Sequence, residues 1–196
     1  MKKIILTVAA VFAFGFANAQ EEAKGEGFSK GDVFISGSVG FSSNDNKATG
    51  VKTDMFNVTP RAAYFVTENI AVGLSLGFAQ TKEADDKATE FKVGAFGRYY
   101  FTPASKFSVF GQLGFDYFNN KVETSTPLGS VEAKSNGFDV AVAPGVSYFV
   151  SKNFALEATF GRLGYRTSKP DGGEATNNFG LNVDLSNINL GLVYKF

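Results

Sequence analysis

Asn187-Ile188-Asn189-Leu190-Gly191-Leu192-Val193-Tyr194-Lys195-Phe196 closes the sequence with a strict alternation. Ile188, Leu190, Leu192, Tyr194 and Phe196 fall on one face; Asn187, Asn189, Gly191, Val193 and Lys195 fall on the other. A period of two predicts a strand with one apolar face. An aromatic last residue on that face is unusual for a chain end in water, where termini tend to fray. The strand is therefore expected to lie with that face in lipid.

The opposite end predicts export. Lys2 and Lys3 precede an apolar stretch from Ile4 to Phe16, and Ala17-Asn18-Ala19 forms a small-residue cleavage site before Gln20. Residues 1–19 read as a signal peptide, because the apolar stretch is too short to span a bilayer. With no Cys at the cut, a lipid-anchored form is not expected. Residues 20–31, polar and charged, read as a periplasmic lead-in, and residues 32–196 as one barrel domain.

Composition narrows the function classes. The sequence has no Cys, His or Trp but 22 Phe. Its 19 basic residues include Lys2 and Lys3, so against 19 acidic ones the exported part carries a net charge of about −2. Nucleic-acid binding needs a basic surplus and is not expected. Mean hydropathy is near zero, with apolar residues spread over alternate positions. That is how a membrane-spanning β-barrel differs from a helical span.

Eight alternating runs precede or include the closing one. Val33, Ile35, Gly37, Val39 and Phe41 share the first apolar face, and Phe56, Val58, Pro60, Ala62 and Tyr64 the second. The third is the clearest, with Ile70, Val72, Leu74, Leu76 and Phe78. The fourth carries Phe91, Val93, Ala95, Gly97 and Tyr99, the fifth Phe107, Val109, Leu113, Phe115 and Tyr117. The sixth holds Phe138, Val140, Val142, Pro144, Val146 and Tyr148, the seventh Phe154, Leu156, Ala158 and Phe160. The phase blurs near Gly161-Arg162, which predicts a bulge. The eighth strand begins at Phe179 in the opposite phase, and a second bulge is expected near Ser186-Asn187.

Connections alternate as well. Residues 66–69, 102–105 and 150–152 read as short turns; 43–52, 81–87, 119–135 and 166–177 read as longer polar loops. This predicts an all-β, eight-stranded, antiparallel, up-and-down transmembrane β-barrel with short periplasmic turns and longer extracellular loops. Paired outward aromatics (Phe56 and Tyr64, Phe91 and Tyr99, Phe107 and Phe115, Phe138 and Tyr148) agree. Their separations span roughly 26–33 Å along a strand, or a height of roughly 20–25 Å once the strands tilt by about 40°. An internal echo supports the hairpin reading: Val58–Val72 (VTPRAAYFVTENIAV) and Val142–Leu156 (VAPGVSYFVSKNFAL) agree at seven of fifteen positions.

With these strands and the closing NLGLVYKF in view, the chain resembles the small outer-membrane β-barrels of the porin-like family that includes OmpX and the transmembrane domain of OmpA. The resemblance implies residence in the cell outer membrane, contact with its lipids and lipopolysaccharide, and no cofactor. It also implies that Leu192, Tyr194 and Phe196 form the signal read by the barrel assembly machinery. The sequence stops at the barrel, so the peptidoglycan-anchoring role of full OmpA-type proteins is not carried over, and a monomer is expected.

An eight-stranded barrel is just wide enough for side chains to fill. Inward positions such as Gly73, Ser75, Gly77, Gly94, Gly114, Ala141, Ala143 and Gly145 leave room for long ones. The candidates are Arg61, Lys92 and Arg98, opposed by Asp116, Asp139 and Glu157; buried charges must be paired to be tolerated. Arg61 and Arg98 are expected to pair with Glu157 or an aspartate, plugging the lumen. The expected function is a structural or surface-interaction barrel, the alternative a narrow channel for ions or small solutes. A lipid-modifying enzyme ranks last. Without His or Cys there is no Ser-His or Cys-His nucleophile pair, and no nitrogen- or sulfur-ligated metal site is expected. The acidic pair Asp85-Asp86 reads as solvated loop carboxylates.

Overall fold

In the computed structural model the chain is described over residues 26–48, 50–126, 129–182 and 189–196. Strands β1 (Val33–Asn46), β2 (Val51–Phe65), β3 (Ile70–Glu83), β4 (Asp86–Tyr100), β5 (Phe107–Thr126) and β6 (Gly129–Phe149) follow one another as hairpins. They are succeeded by β7 (Phe154–Thr159), β8 (Arg162–Pro170), β9 (Thr176–Asn182) and β10 (Asn189–Lys195). Segments β7 and β8 are the two halves of the seventh barrel strand, and β9 and β10 the two halves of the eighth. All pairings are antiparallel. The barrel closes where β1 meets β10, from Phe34 opposite Lys195 to Ser38 opposite Gly191. The expected eight-stranded barrel is the fold.

The bulge expected near Gly161 is present. Thr159 of β7 faces Gly145 of β6, whereas Leu163 of β8 faces Val142, so the register slips by one residue across Phe160-Gly161. Gly161 takes φ of +73°, a left-handed conformation that suits glycine. The opposite phase expected for the two halves of strand eight also holds, since Phe179 and Leu181 are exposed in one half and Leu190 and Leu192 in the other. The bulge expected near Ser186-Asn187 lies outside the described residues.

The sequence echo is a structural one. Thr67 and Ser151 hold corresponding places, and each hydroxyl accepts a backbone N–H, from Ile70 (2.9 Å) and Phe154 (3.1 Å) respectively. Asn69 and Asn153 each send a side-chain amide to a neighbouring strand end, to the carbonyls of Tyr100 and Lys195, both at 2.8 Å. The two prolines act alike too. Pro60 and Pro144, which lack an N–H, each sit where the ladder toward the following strand is interrupted. Opposite Pro144 lies the Phe160-Gly161 bulge, where Phe160 N–H still reaches the Pro144 carbonyl at 3.2 Å.

The long polar connections are a correction. Most of the residues read as loops are strand: β1 and β2 stay paired up to Asn46 opposite Val51, β3 and β4 up to Glu83 opposite Asp86, and β5 and β6 up to Thr126 opposite Gly129. Polar composition does not imply irregular backbone here. A hairpin satisfies its own N–H and C=O groups, so it can continue into water when its side chains are Thr, Lys, Glu and Asn. Charged neighbours help, as where Lys121 pairs with both Glu123 (2.8 Å) and Glu132 (2.6 Å).

Candidate functional site

Outward positions carry apolar side chains that remain exposed, among them Leu74, Phe91, Leu113, Phe115 and Val142. The core and the polar chemistry are both inside. Two aromatic rings mark the band: Tyr99 and Phe101, and Phe154, Tyr194 and Phe196, touch at the short-turn end. Phe56 and Phe78, and Phe115, Tyr117 and Phe138, do so toward the hairpins.

The short-turn end is closed by an aromatic floor that sequence reasoning missed. Phe34, Phe65, Tyr100, Phe110 and Phe149 point inward there, and Phe28 of the lead-in is buried among them. Its ring lies 4.7 Å from that of Phe65, 4.8 Å from Phe149, 5.1 Å from Tyr100 and 5.3 Å from Phe34. Phe28 N–H donates to the Pro103 carbonyl (2.7 Å), and Lys195 Nζ donates to the Gly27 carbonyl (2.5 Å). Gly27 takes φ of +108°, and a Cβ there would stand 2.5 Å from the Ala104 backbone. Lys195 Nζ also approaches Asp32 Oδ2 at 3.8 Å. The described part of the lead-in thus folds back into the barrel mouth, latched to the last strand. The available signal was an excess of aromatics on the inward phase at strand ends: Phe34, Phe65, Tyr100, Phe110, Phe149.

Directly above this floor lies a charged layer. Arg98 Nη1 donates to Glu157 Oε1 at 2.5 Å and to the Tyr100 hydroxyl at 3.1 Å, while Arg98 Nε donates to Gln112 Oε1 at 2.7 Å. The Arg98 guanidinium also lies over the rings of Phe110 (4.5 Å), Phe96 (5.2 Å) and Phe34 (5.7 Å). Arg98 is 1% exposed and Glu157 5%. Small inward residues make this packing possible: a Cβ on Gly145 would run into the Phe110 ring, and one on Gly94 would run into the Asp116 carboxylate.

The other candidates sit higher in the lumen. Lys92 pairs with Glu90 at 3.0 Å, and Glu90 also takes Arg166 at 2.5 Å. Asp139 is held by Arg162 and, at 3.7 Å, by Arg166, whose guanidinium lies 3.6 Å from the Phe118 ring centre. Asp116 stands opposite Asp139 across the β5–β6 ladder and accepts the Ser75 hydroxyl at 3.0 Å. Arg61, expected to pair with Glu157 or an aspartate, makes no ion pair or hydrogen bond among the described residues. Glu157 is occupied by Arg98. The partners Glu90, Arg162 and Arg166 were missed because Arg166 read as a loop residue, Glu90 falls between the polar loop and Phe91, the first apolar residue of the fourth run, and the bulge hid the phase of Arg162. Counting the alternation back from Leu163 and Tyr165 puts Arg162 and Arg166 inside.

Above the charged layer the described side chains leave open space in the lumen. A polar cavity of about 420 Å³ is lined by Arg61, Lys92, Gln112, Asp116, Asp139 and Glu157 among others, with a side pocket of about 150 Å³ bounded by Thr59, Arg61, Ser75, Lys92, Gln112 and Asp116. Exposure rises toward the hairpins, from Arg98 and Glu157 below to Glu90 at 20%, Arg166 at 30% and Lys92 at 35%. The lumen is a cup, sealed at the short-turn end and wet toward the hairpins. Among the described residues no group of three or more metal-ligating side chains comes together.

The sequence matches the family model described as outer membrane protein beta-barrel domain over residues 6–196. The fold is similar to that of the outer membrane protein OprG from Pseudomonas aeruginosa, with 16% identity, 88% of this chain and 99% of that chain covered, and a TM-score of 0.54. It is similar to a major outer membrane protein from Thermus thermophilus, with 13% identity, coverage of 84% and 98%, and a TM-score of 0.53. It is also similar to the N-terminal beta-barrel domain of Pseudomonas aeruginosa OprF, with 13% identity, coverage of 86% and 100%, and a TM-score of 0.50. At these identities the likeness is one of fold. No curated protein sequence matches the chain.

Proposed function

Since the chain belongs to the family of outer membrane protein β-barrel domains and resides in the outer membrane, we propose that it serves there as a closed barrel with a structural or surface-interaction role. One observation carries the closed reading: Phe28 is seated in the aromatic floor immediately beneath the Arg98–Glu157 pair. A permeating ion would have to cross a packed aromatic layer whose neighbouring charges, Arg98 with Glu157 and Lys195 with Asp32, are already engaged with one another, which costs too much free energy for conduction. The protruding hairpins are then the part that meets the surroundings, and lipids and lipopolysaccharide are the partners of the wall. Leu192, Tyr194 and Phe196, on the lipid-facing side of β10, fit the role of assembly signal, and the barrel acts as a monomer. No catalytic role is proposed.

The polar cavity favours a second reading, a narrow channel that opens when the lead-in is withdrawn. Swelling of lipid vesicles containing the refolded protein separates the two. Vesicles as tight to small sugars and amino acids as protein-free ones agree with the closed barrel; rapid swelling overturns it.

A further inference from the structure

Of the charged side chains described in the lumen above the aromatic floor, seven are engaged in ion pairs: Glu90, Lys92, Arg98, Asp139, Glu157, Arg162 and Arg166. The other two are Arg61 and Asp116. Both line the same side pocket of about 150 Å³, which Lys92, held by Glu90, also borders. Arg61 lies within electrostatic reach of Arg98, Glu157 and Asp116, yet among the described residues neither Arg61 nor Asp116 is in ion-pair contact. Asp116 keeps one hydrogen bond, from Ser75. Arg61 stands on β2 and Asp116 on β5, with β3 and β4 between them in the barrel wall, so the two charges approach the pocket from separate positions. Thr59 and Gln112 add neutral hydrogen-bonding groups at its edge.

A guanidinium and a carboxylate held apart across a small polar space match a molecule with the reverse arrangement. We propose that this pocket binds a small zwitterion of the α-amino-acid class, its carboxylate on Arg61 and its ammonium on Asp116. Charge-assisted hydrogen bonds at both ends would supply the affinity. A singly charged molecule leaves one of the two groups unsatisfied, so the pocket discriminates against it. Volume limits the side chain to a few heavy atoms. Entry is from the hairpin side, and for that direction the proposal rests on the closed-barrel reading.

The test uses the refolded full mature chain in phospholipid vesicles or nanodiscs, with the Arg61 side-chain resonance followed by ¹H–¹⁵N NMR during titration with glycine. Acetate, methylammonium and phosphoethanolamine are titrated alongside. Saturable shifts are expected with glycine, and weaker response with the two singly charged probes. Phosphoethanolamine binding tighter than glycine would reassign the pocket to a lipid headgroup and overturn the amino-acid assignment. Arg61→Gln and Asp116→Asn should each weaken glycine binding about tenfold, read by calorimetry, with the heat-dependent gel shift intact as a fold control. Absence of saturable binding, equal binding of acetate, or affinity untouched by both substitutions overturns the proposal. Conductance measured on the same preparation keeps the readings separate: a conducting barrel that binds glycine contradicts the closed lumen alone, and a silent barrel that does not bind it contradicts the pocket alone.

Discussion

Arg98 and Glu157 meet at 2.5 Å across the lumen, from β4 and β7, and each is almost wholly removed from water. Such a pair is stable only because its remaining donors and faces are also occupied, by Gln112, Tyr100 and the surrounding phenyl rings. Replacing Glu157 alone by Ala leaves a buried unpaired guanidinium and should destabilise the folded barrel by about 3–5 kcal/mol. The double variant Arg98→Met with Glu157→Leu should lose markedly less. Urea unfolding of the refolded protein in vesicles measures both; equal losses would show that the pair is not coupled.

Phe28 tests the floor. Phe28→Ala removes a buried ring that touches four others, and a cost of about 3–5 kcal/mol is the usual range for such a truncation. The strand ladder begins only at Val33, so the barrel should still form and its heat-dependent gel shift should occur at a lower temperature. An unchanged shift temperature would mean that Phe28 does not hold the floor.

The wall and the hairpin tips should respond very differently. Leu190 faces outward on β10 and is largely exposed, so Leu190→Arg places a cation against hydrocarbon at a cost of about 2–4 kcal/mol near mid-membrane. Asp85→Ala, at the tip between β3 and β4, should cost little. Folding yield into lipid vesicles discriminates, and equal yields would refute the facing of β10.

The amides of Asn69 and Asn153 tie short turns to neighbouring strand ends. Each truncation to Ala should cost about 1 kcal/mol, and because the turns are far apart in the barrel the double variant should be additive. A strongly non-additive result in the same unfolding assay would count against the independence of the two hairpins.

Beyond the aromatic ring that holds Phe56, the β1–β2 hairpin should be pH-sensitive. The Ser43 hydroxyl, donating at 2.6 Å, and then Lys52 at 3.1 Å hold the Asp54 carboxyl below its ordinary value. A carboxyl with a lowered folded-state pKa stabilises above its unfolded value, and that contribution is lost as pH falls through the folded one. Amide protection factors near Ser43 and Asp54, with intrinsic exchange divided out, should therefore fall in acid below the usual carboxylate range and be unchanged between neutral and mildly acidic pH. Asp54→Asn should remove the dependence.

The fold was legible because lipid outside and small residues inside impose a period of two on every strand. The same period located the Phe160-Gly161 bulge from one slipped phase. Three things were hidden. Polar hairpins that continue as strand look like loops, since composition reports solvent exposure and not backbone pairing; Arg166 was lost that way. Long-range partner choice was hidden as well. Alternation places Arg61 and Arg98 inside but cannot say that Arg98 takes Glu157 and leaves Arg61 facing the cavity, which depends on heights around a closed barrel. Phe28 was unreadable for a further reason: the short irregular backbone around it carries no periodicity to indicate that a side chain turns back inward.

Closure of the lumen is decided by single-channel recording of the refolded chain from Gln20 to Phe196 in a planar bilayer. The floor of Phe28, Phe34, Phe65, Tyr100 and Phe149 beneath the Arg98–Glu157 pair predicts a baseline without steps across the voltage range. Steady, reproducible steps from the folded protein would contradict it and mean a continuous water path past Phe28 and Arg98.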